Sequence, residues 1–160
     1  MAIFEGQLHV NKNDRFALVA ARFNEFIVDR LVEGAMDCIL RHGGNQDQVD
    51  LFKAPGSFEL PQIAQAAAQS GRYAGIVMLG AVIRGGTPHF DMIAAEVTKG
   101  AAQVALQTGV PLVFGVLTTD TIEQAIERAG AKMGNKGWEA AQSMIEMVDV
   151  CKVFRPKKGK

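Results

Sequence analysis

The longest uninterrupted apolar run of the chain, Gly75 to Ile83, is the feature that most constrains the fold. This run is far shorter than the roughly 20 residues that a membrane-spanning helix needs. Its continuous hydrophobicity predicts a strand over residues 75–82 that is buried on both faces of a sheet. Because such a sheet must be covered by helices on both sides, the run predicts an α/β fold.

Short apolar runs alternate with longer segments of helical period along the rest of the chain, which predicts parallel strands joined by helical crossovers. The other strands are predicted at 16–21, 49–52 and 111–117. Helices are predicted from Ile27 to the glycines at 43–44, from Ser57 or Pro61 to Gly71, over 90–105, from a cap at Asp120 to near Gly130, and over 134–153. The pattern predicts one domain, residues 1–160, with a four-stranded parallel sheet between helix layers, and leaves the strand order open.

Composition excludes several classes of function. Seventeen Lys plus Arg balance seventeen Asp plus Glu, so no global field draws the chain to nucleic acid or to an anionic membrane. The N-terminus lacks the basic and hydrophobic segments of a secretion signal. Cys38 and Cys151 form no CxxC pair and lie in predicted helices, so we expect free, buried thiols in a soluble cytoplasmic protein.

The two ends of the chain stand outside the alternation. Residues 3–10 form a strand-like segment joined to the rest through a polar stretch at 11–14. We expect this segment to pair with its own sheet edge or with that of a neighbouring subunit. Residues 155–160 are basic, and a flexible solvated tail is favoured over a functional basic arm.

The loops that follow the strands are the places to look for a site, because ligands bind parallel sheets at the carboxyl ends of their strands. In the third loop Thr87 suits a helix N-cap and Pro88 the first helical position. Gly85 and Gly86 allow a close backbone approach and a positive φ. The loop therefore predicts a cradle for phosphate or carboxylate, although it could simply turn a strand into a helix. There is no GxGxxG or GK[ST], which disfavours a dinucleotide or triphosphate site.

Arg84 and His89 flank this turn. An imidazole in the first turn of a helix suits general acid or base catalysis, and a hydrogen-bonded structural histidine is the alternative. His9 and His42 fall in the N-terminal segment and at a helix end, so the three histidines predict no metal site.

Other loop residues have both a functional and an ordinary explanation. Phe23 and Phe58 lie just past two strands, where each could stack on a planar ring or plug the end of the sheet, and burial is the usual fate of a phenylalanine. Glu59 is either a ligand contact or an ordinary first-turn acid.

Arg128 and Lys132 follow the fourth strand on a helix that runs away from the loops. At 1.5 Å per residue, Arg128 lies about 12 Å along that helix from Asp120, so it should not reach the site of its own chain. These cations either form a solvated helix face or bind an anion across a subunit interface.

Several motifs together resemble the lumazine synthase family, in order and over residues 6–154. They are Arg22-Phe23-Asn24, Pro55-Gly56-Ser57-Phe58-Glu59, Ile83-Arg84-Gly85-Gly86-Thr87-Pro88-His89-Phe90, Phe114-Gly115-Val116-Leu117-Thr118-Thr119, Glu123-Gln124-Ala125-Ile126-Glu127-Arg128-Ala129-Gly130 and Gly134-Asn135-Lys136-Gly137. The resemblance implies a flavodoxin-like three-layer sandwich. It also implies a transferase of riboflavin biosynthesis, which condenses 5-amino-6-(D-ribitylamino)uracil with 3,4-dihydroxy-2-butanone 4-phosphate to 6,7-dimethyl-8-ribityllumazine, phosphate and water, without cofactor or metal.

The resemblance further implies a homo-oligomer, a pentamer that is often packed into a 60-subunit icosahedral shell. Because residues 3–10 stand outside the strand and helix alternation, we expect them to add an edge strand to a neighbour's sheet. Residues 130–137 carry no insertion of the kind associated with pentamer-only relatives, which favours the shell. Two alternatives are a flavin- or lumazine-binding cage that has lost catalysis, and an archaeal-type riboflavin synthase that uses two lumazine molecules.

Roles for individual residues also follow from the resemblance. It makes His89 the proton-transfer residue and places Phe114 and Arg128 in the adjacent subunit's site, with Lys132 nearby. Phe23 would stack on the pyrimidine, and Gly86 and Thr87 would hold the phosphate. The ring and ribityl chain would be bound by Ser57, Phe58, Glu59, Ala81, Val82 and Ile83.

Overall fold

The computed structural model describes residues 1–154, so the predicted basic tail at 155–160 lies outside the described residues. The strands and helices, in chain order, are β1 (Phe16–Ala21), α1 (Glu25–Arg41), β2 (Val49–Ala54), α2 (Leu60–Gln69), β3 (Gly75–Ile83), α3 (His89–Thr108), β4 (Leu112–Thr119), α4 (Ile122–Arg128), β5 (Ala129–Ala131), β6 (Gly134–Asn135) and α5 (Lys136–Cys151). Single 3-10 turns span Gln46–Gln48, Ser57–Glu59 and Lys152–Phe154.

The main sheet has the order β2-β1-β3-β4, and each neighbouring pair is parallel. This confirms the predicted four-stranded parallel sheet, and the strand order is that of a flavodoxin-like fold. All six residues of β1 are buried, as are the first eight of β3. The two central strands are thus covered on both faces, as continuous hydrophobicity predicts.

The core divides into two clusters, one on each face of the sheet. Leu18 of β1 packs on the side of α1 and α5, in one cluster with Leu31 and Met144. Val19, the next residue, belongs to the opposite cluster, which contains Leu60 of α2. Because side chains alternate along a strand, β1 serves both layers.

The starts of α4 and α5 differ from those predicted in what determines them. α4 is capped by Thr121, whose Oγ1 accepts from the Gln124 N–H at 3.1 Å, and not by Asp120. α5 begins at Lys136, since Asn135 Oδ1 accepts from the first-turn amides. The residues before it form the short antiparallel pair β5-β6, which the sequence pattern did not predict because the segment has little hydrophobic periodicity.

The N-terminal segment pairs with neither edge of its own sheet, so the first of its two predicted placements is wrong. It contacts the helix layer of α1 and α5 instead. The Gln7 N–H donates to Asp149 Oδ2 at 2.8 Å, and the Val10 N–H donates to the His42 carbonyl at 2.9 Å. Ile3 and Phe4, nearer the N-terminus, are exposed.

The cysteines are free, as expected, but only Cys38 is buried, and Cys151 is half-buried near the end of α5. Burial, helped by the charge of Asp37, raises the pKa of the Cys38 thiol to about 12, so this thiol is unreactive at neutral pH. Over residues 1–154, no helix is long and apolar enough to cross a membrane.

Candidate active site

A cavity of about 590 Å³ opens at the carboxyl ends of the strands, where parallel sheets place their ligands. Its walls come from the loops after β1, β2 and β3 and from the first turns of α3 and α4. The lining residues are Phe23, Asn24, Gly56, Ser57, Phe58, Glu59, Ala81, Val82, Ile83, Gly85, Thr87, His89, Phe90, Ile93 and Ile122.

The cavity brings together most of the residues predicted from the sequence. Phe23, Ser57, Phe58, Glu59, Ala81, Val82, Ile83, Thr87 and His89 all line it. Gly86 is exposed in the same loop but is not part of the wall, and Phe114, Arg128 and Lys132 lie elsewhere in the chain.

The two phenylalanines lie at the surface rather than in the core. Phe23 is 72% exposed and Phe58 is 58% exposed, so the interpretation that they plug the sheet end is wrong. A large exposed aromatic ring at a cavity mouth provides a flat apolar surface for a planar ligand.

Asn24 is a lining residue that the sequence analysis did not select. Its φ of 60° is in the left-handed region, which asparagine tolerates better than most residues. Its side-chain amide donates to the Ala81 carbonyl at 2.8 Å, which ties the corner after β1 to the end of β3. An asparagine three residues after the end of a buried strand was the only available sign of this role.

The loop after β3 differs from its predicted geometry. Pro88, and not Thr87, occupies the N-cap position of α3, and no side chain caps the helix. Gly85 and Gly86 do not take a positive φ, and a Cβ at either would meet no atom within 4 Å. No side chain therefore occupies the first-turn amides of α3, and the two glycines before the helix leave room for a ligand, as an anion site requires.

Arg84 does not provide a free cation for this loop. Its Nε donates to Asp120 Oδ1 at 2.9 Å, and its Nη1 lies 3.2 Å from the Asp91 carboxylate. Among residues 1–154, the titratable side chains in the cavity wall are Glu59 and His89, and the wall has no lysine or arginine.

His89 is the first residue of α3 and is exposed, so its imidazole is accessible to a ligand. Ser57 lies deeper and is 8% exposed, and a Cβ added at Gly80 of β3 would come within 2.7 Å of its Oγ. Glu59, half-buried, follows in the same 3-10 turn. The wall thus combines an imidazole, a carboxylate, two hydroxyls and three phenylalanine rings.

Phe114, Arg128 and Lys132 lie outside the cavity of their own chain. Phe114 is half-buried on β4, an edge strand of the sheet. Arg128 ends α4, where its Nη1 donates to the Gln124 carbonyl at 3.0 Å, and Lys132 is exposed in the turn between β5 and β6.

No group of three or more His, Cys, Asp or Glu side chains within residues 1–154 is arranged to hold a metal ion. The expectation of a reaction without metal or cofactor stays a prediction.

Comparison with known proteins identifies the family. The family model described as 6,7-dimethyl-8-ribityllumazine synthase matches residues 13–152. A protein of that name from Prosthecochloris aestuarii is 61% identical over 91% of this chain and 94% of its own length. One from Chloroherpeton thalassium is 58% identical over 92% and 95%, and one from Helicobacter pylori is 54% identical over 97% and 99%. With a family model that covers most of its length and relatives this similar, the chain belongs to the 6,7-dimethyl-8-ribityllumazine synthase family.

Proposed function

We propose that this protein condenses 5-amino-6-(D-ribitylamino)uracil with 3,4-dihydroxy-2-butanone 4-phosphate to 6,7-dimethyl-8-ribityllumazine, with release of phosphate and water. The observation that carries the proposal is one cavity that joins exposed aromatic rings to an imidazole at an uncapped helix N-terminus. The first feature suits a planar pyrimidine and the second a phosphate ester. Membership of the family supports the same reaction.

The pyrimidine would occupy the side of the cavity bounded by Phe23 and Phe58. Phe23 would stack on the ring, and the end of β3, Ala81 to Ile83, would contact the ring through its backbone. Ser57 and Glu59 offer oxygen atoms to the hydroxyls of the ribityl chain, which is a polyol and needs several hydrogen-bond partners.

The phosphate would lie at the start of α3, held by Gly86, Thr87 and the first-turn amides. These partners are neutral, and the described cavity wall contains no basic side chain apart from the His89 imidazole. A phosphate that leaves bulk water needs a cationic partner. Arg128 of an adjacent subunit would supply it, with Lys132 near by and Phe114 of the same adjacent subunit covering the pyrimidine.

His89 would move protons at the phosphate end of the cavity. When the amine attacks the carbonyl carbon, a new carbon–nitrogen bond forms and the amine loses a proton. Water then leaves the carbinolamine to give an imine, and elimination of phosphate leaves an enol that becomes a ketone. The second nitrogen adds to that ketone, and the ring closes with loss of a second water. An imidazole accepts and returns protons at neutral pH, and the cavity holds the two reactants together.

The site is then complete only in an oligomer, a pentamer or a 60-subunit shell. The N-terminal segment, residues 3–10, does not pair with the sheet of its own chain and would add a strand to a neighbour's sheet. Light scattering with activity measurements on the same sample tests this. A stable monomer with full activity would refute both the shared site and the shared strand. Cytoplasmic localisation, expected from the unpaired cysteines, stays a prediction.

Mixing the purified protein with both substrates and following lumazine absorbance tests the reaction itself. Binding of lumazine or flavin without turnover would favour the cage, and riboflavin formed from lumazine alone would favour the riboflavin synthase.

His89→Ala should lower kcat by roughly ten- to ten-thousandfold, the span of general acid–base catalysis, in an assembly of unchanged size. Unchanged turnover in that variant would make His89 a structural residue.

A further inference from the structure

Arg84 stands directly before the proposed phosphate loop, and three contacts fix its position. Its backbone N–H donates to the Thr119 carbonyl at 2.8 Å, which holds the residue beside the end of β4. Its guanidinium donates to Asp120 at 2.9 Å and to Asp91 at 3.2 Å. One side chain thus joins the connection after β4 to the first turn of α3.

The guanidinium also covers a residue of the cavity wall. Its central carbon lies 4.2 Å from the centroid of the Phe90 ring, within the range of a cation–π contact. Phe90 lines the cavity directly after His89. The hydrogen bond to Asp120 holds the pKa of Arg84 above its ordinary value, so the charge is permanent.

The loop between Arg84 and α3 has little else to define its shape. It contains two consecutive glycines, whose conformational freedom is the largest of any residue. A Cβ at Gly85 or Gly86 would meet nothing within 4 Å, and Thr87 makes no cap. The ion pair between Arg84 and Asp91 closes this short loop across its base and so restricts the conformations open to it.

We propose that Arg84 is a positioning residue, which holds the loop of residues 85–88 and the start of α3 in the shape that binds phosphate and orients His89. The inference rests on the proposed function of that loop. Arg84 acts through Asp91, Asp120 and Phe90 and does not itself contact the phosphate. The alternative is that the Arg84 guanidinium binds the phosphate directly.

Two sets of variants separate these assignments. Arg84→Met removes the cation, whereas the double variant Asp91→Asn with Asp120→Asn keeps the cation and frees it from its partners. We expect the double asparagine variant to lower kcat/KM for the butanone phosphate by several-fold, the worth of two exposed ion pairs. Arg84→Met should lower it by roughly tenfold, because it also removes the cation–π contact with Phe90. The KM for the pyrimidine should stay unchanged. Combining all three substitutions should add little further loss, because the same interaction is removed twice.

Two more variants complete the comparison. Arg84→Lys keeps the charge but cannot bridge both carboxylates with a planar fork, so it should recover only part of the loss. Arg41→Met is the matched control, because Arg41 is also an exposed arginine paired with a carboxylate, that of Asp37, at the far end of α1. It should leave both KM values unchanged.

Binding of inorganic phosphate, measured by calorimetry on the intact assembly, gives a second readout that needs no turnover. Weaker phosphate binding by both Arg84→Met and the double asparagine variant supports positioning, even if the wild-type protein fails to make lumazine and the proposed function is wrong. Phosphate binding or kcat/KM that is unchanged or improved in the double asparagine variant would overturn it. Unchanged kinetics in Arg84→Met would also overturn the proposal. If Arg84→Met does not assemble, the kinetics and phosphate binding of Arg84→Lys and of the double variant decide between the two assignments.

Discussion

Removal of the Phe23 ring tests whether the cavity holds the pyrimidine where we propose. The ring is 72% exposed, so Phe23→Ala should lower the free energy of unfolding only slightly. A phenylalanine side chain can bury about 150–250 Å² in all, so about 110–180 Å² remains for a ligand. A planar ring stacked on one face would cover about half of that area, worth about 1.4–2.3 kcal/mol at about 25 cal/mol per Å². The KM for the pyrimidine should therefore rise by roughly ten- to fiftyfold.

Steady-state kinetics with each substrate varied in turn measures this effect. Phe26→Ala is the matched control, because Phe26 is 74% exposed, lies three residues further along, and is absent from the wall of this cavity. Phe23→Trp should keep the KM near its original value, since it retains a stacking face. An unchanged pyrimidine KM in an intact Phe23→Ala assembly would refute the reasoning, as would an equal rise for both substrates.

Two other perturbations have distinct signatures. Arg128→Ala should raise the KM for the butanone phosphate by roughly ten- to a hundredfold, the worth of a hydrogen bond to a charged group, and kinetics in which only the pyrimidine KM rises would contradict the shared site. Asp50 accepts hydrogen bonds from Tyr73 and Arg15, which lower the pKa of its carboxyl in the folded protein. Its stabilisation is thus complete above the unfolded value of about 3.9 and is lost as pH falls through the folded pKa. Urea unfolding at a series of acidic pH values should show that Asp50→Asn reduces the rise of the unfolding free energy with pH in that range. An unaltered pH profile would show that the hydrogen bonds of Asp50 with Tyr73 and Arg15 contribute nothing to stability.

The fold could be predicted because a strand that is buried on both faces has a continuous run of apolar residues, which is visible within a few positions of the sequence. The run ending at Ile83 identified β3, and the alternation around it identified the other strands to within two residues at each end. Strand order is a property of pairs of distant segments, so no local pattern contains it. The β5-β6 pair escaped prediction because its glycines and its turn at Lys132 have no periodicity to read.

The site could be predicted where a residue follows a strand and its chemistry is distinctive, as with His89 and Glu59. The exposure of Phe23 could not be predicted, because a phenylalanine is usually buried. This one lies at the surface because no helix or strand within residues 1–154 covers it. The partners of Arg84 could not be predicted either, since Asp120 reaches it through the pairing of β3 with β4. A sequence shows that a cation is present but not which carboxylates it contacts.

The order of the strands also bears on how the site forms as the chain folds. β1 is central and pairs with β3, with Phe16 opposite Gly75, so their first contacts close a loop of more than fifty residues. Loop-closure entropy must be overcome before such distant contacts stabilise anything, which makes parallel pairing slow. The floor of the cavity, from Ala81 to Ile83, and its link to Asn24 exist only after β3 has docked beside β1. A folding chain therefore gains its binding cavity late, after the central pair of the sheet, and partly folded chains leave the apolar surface of β3 open to aggregation.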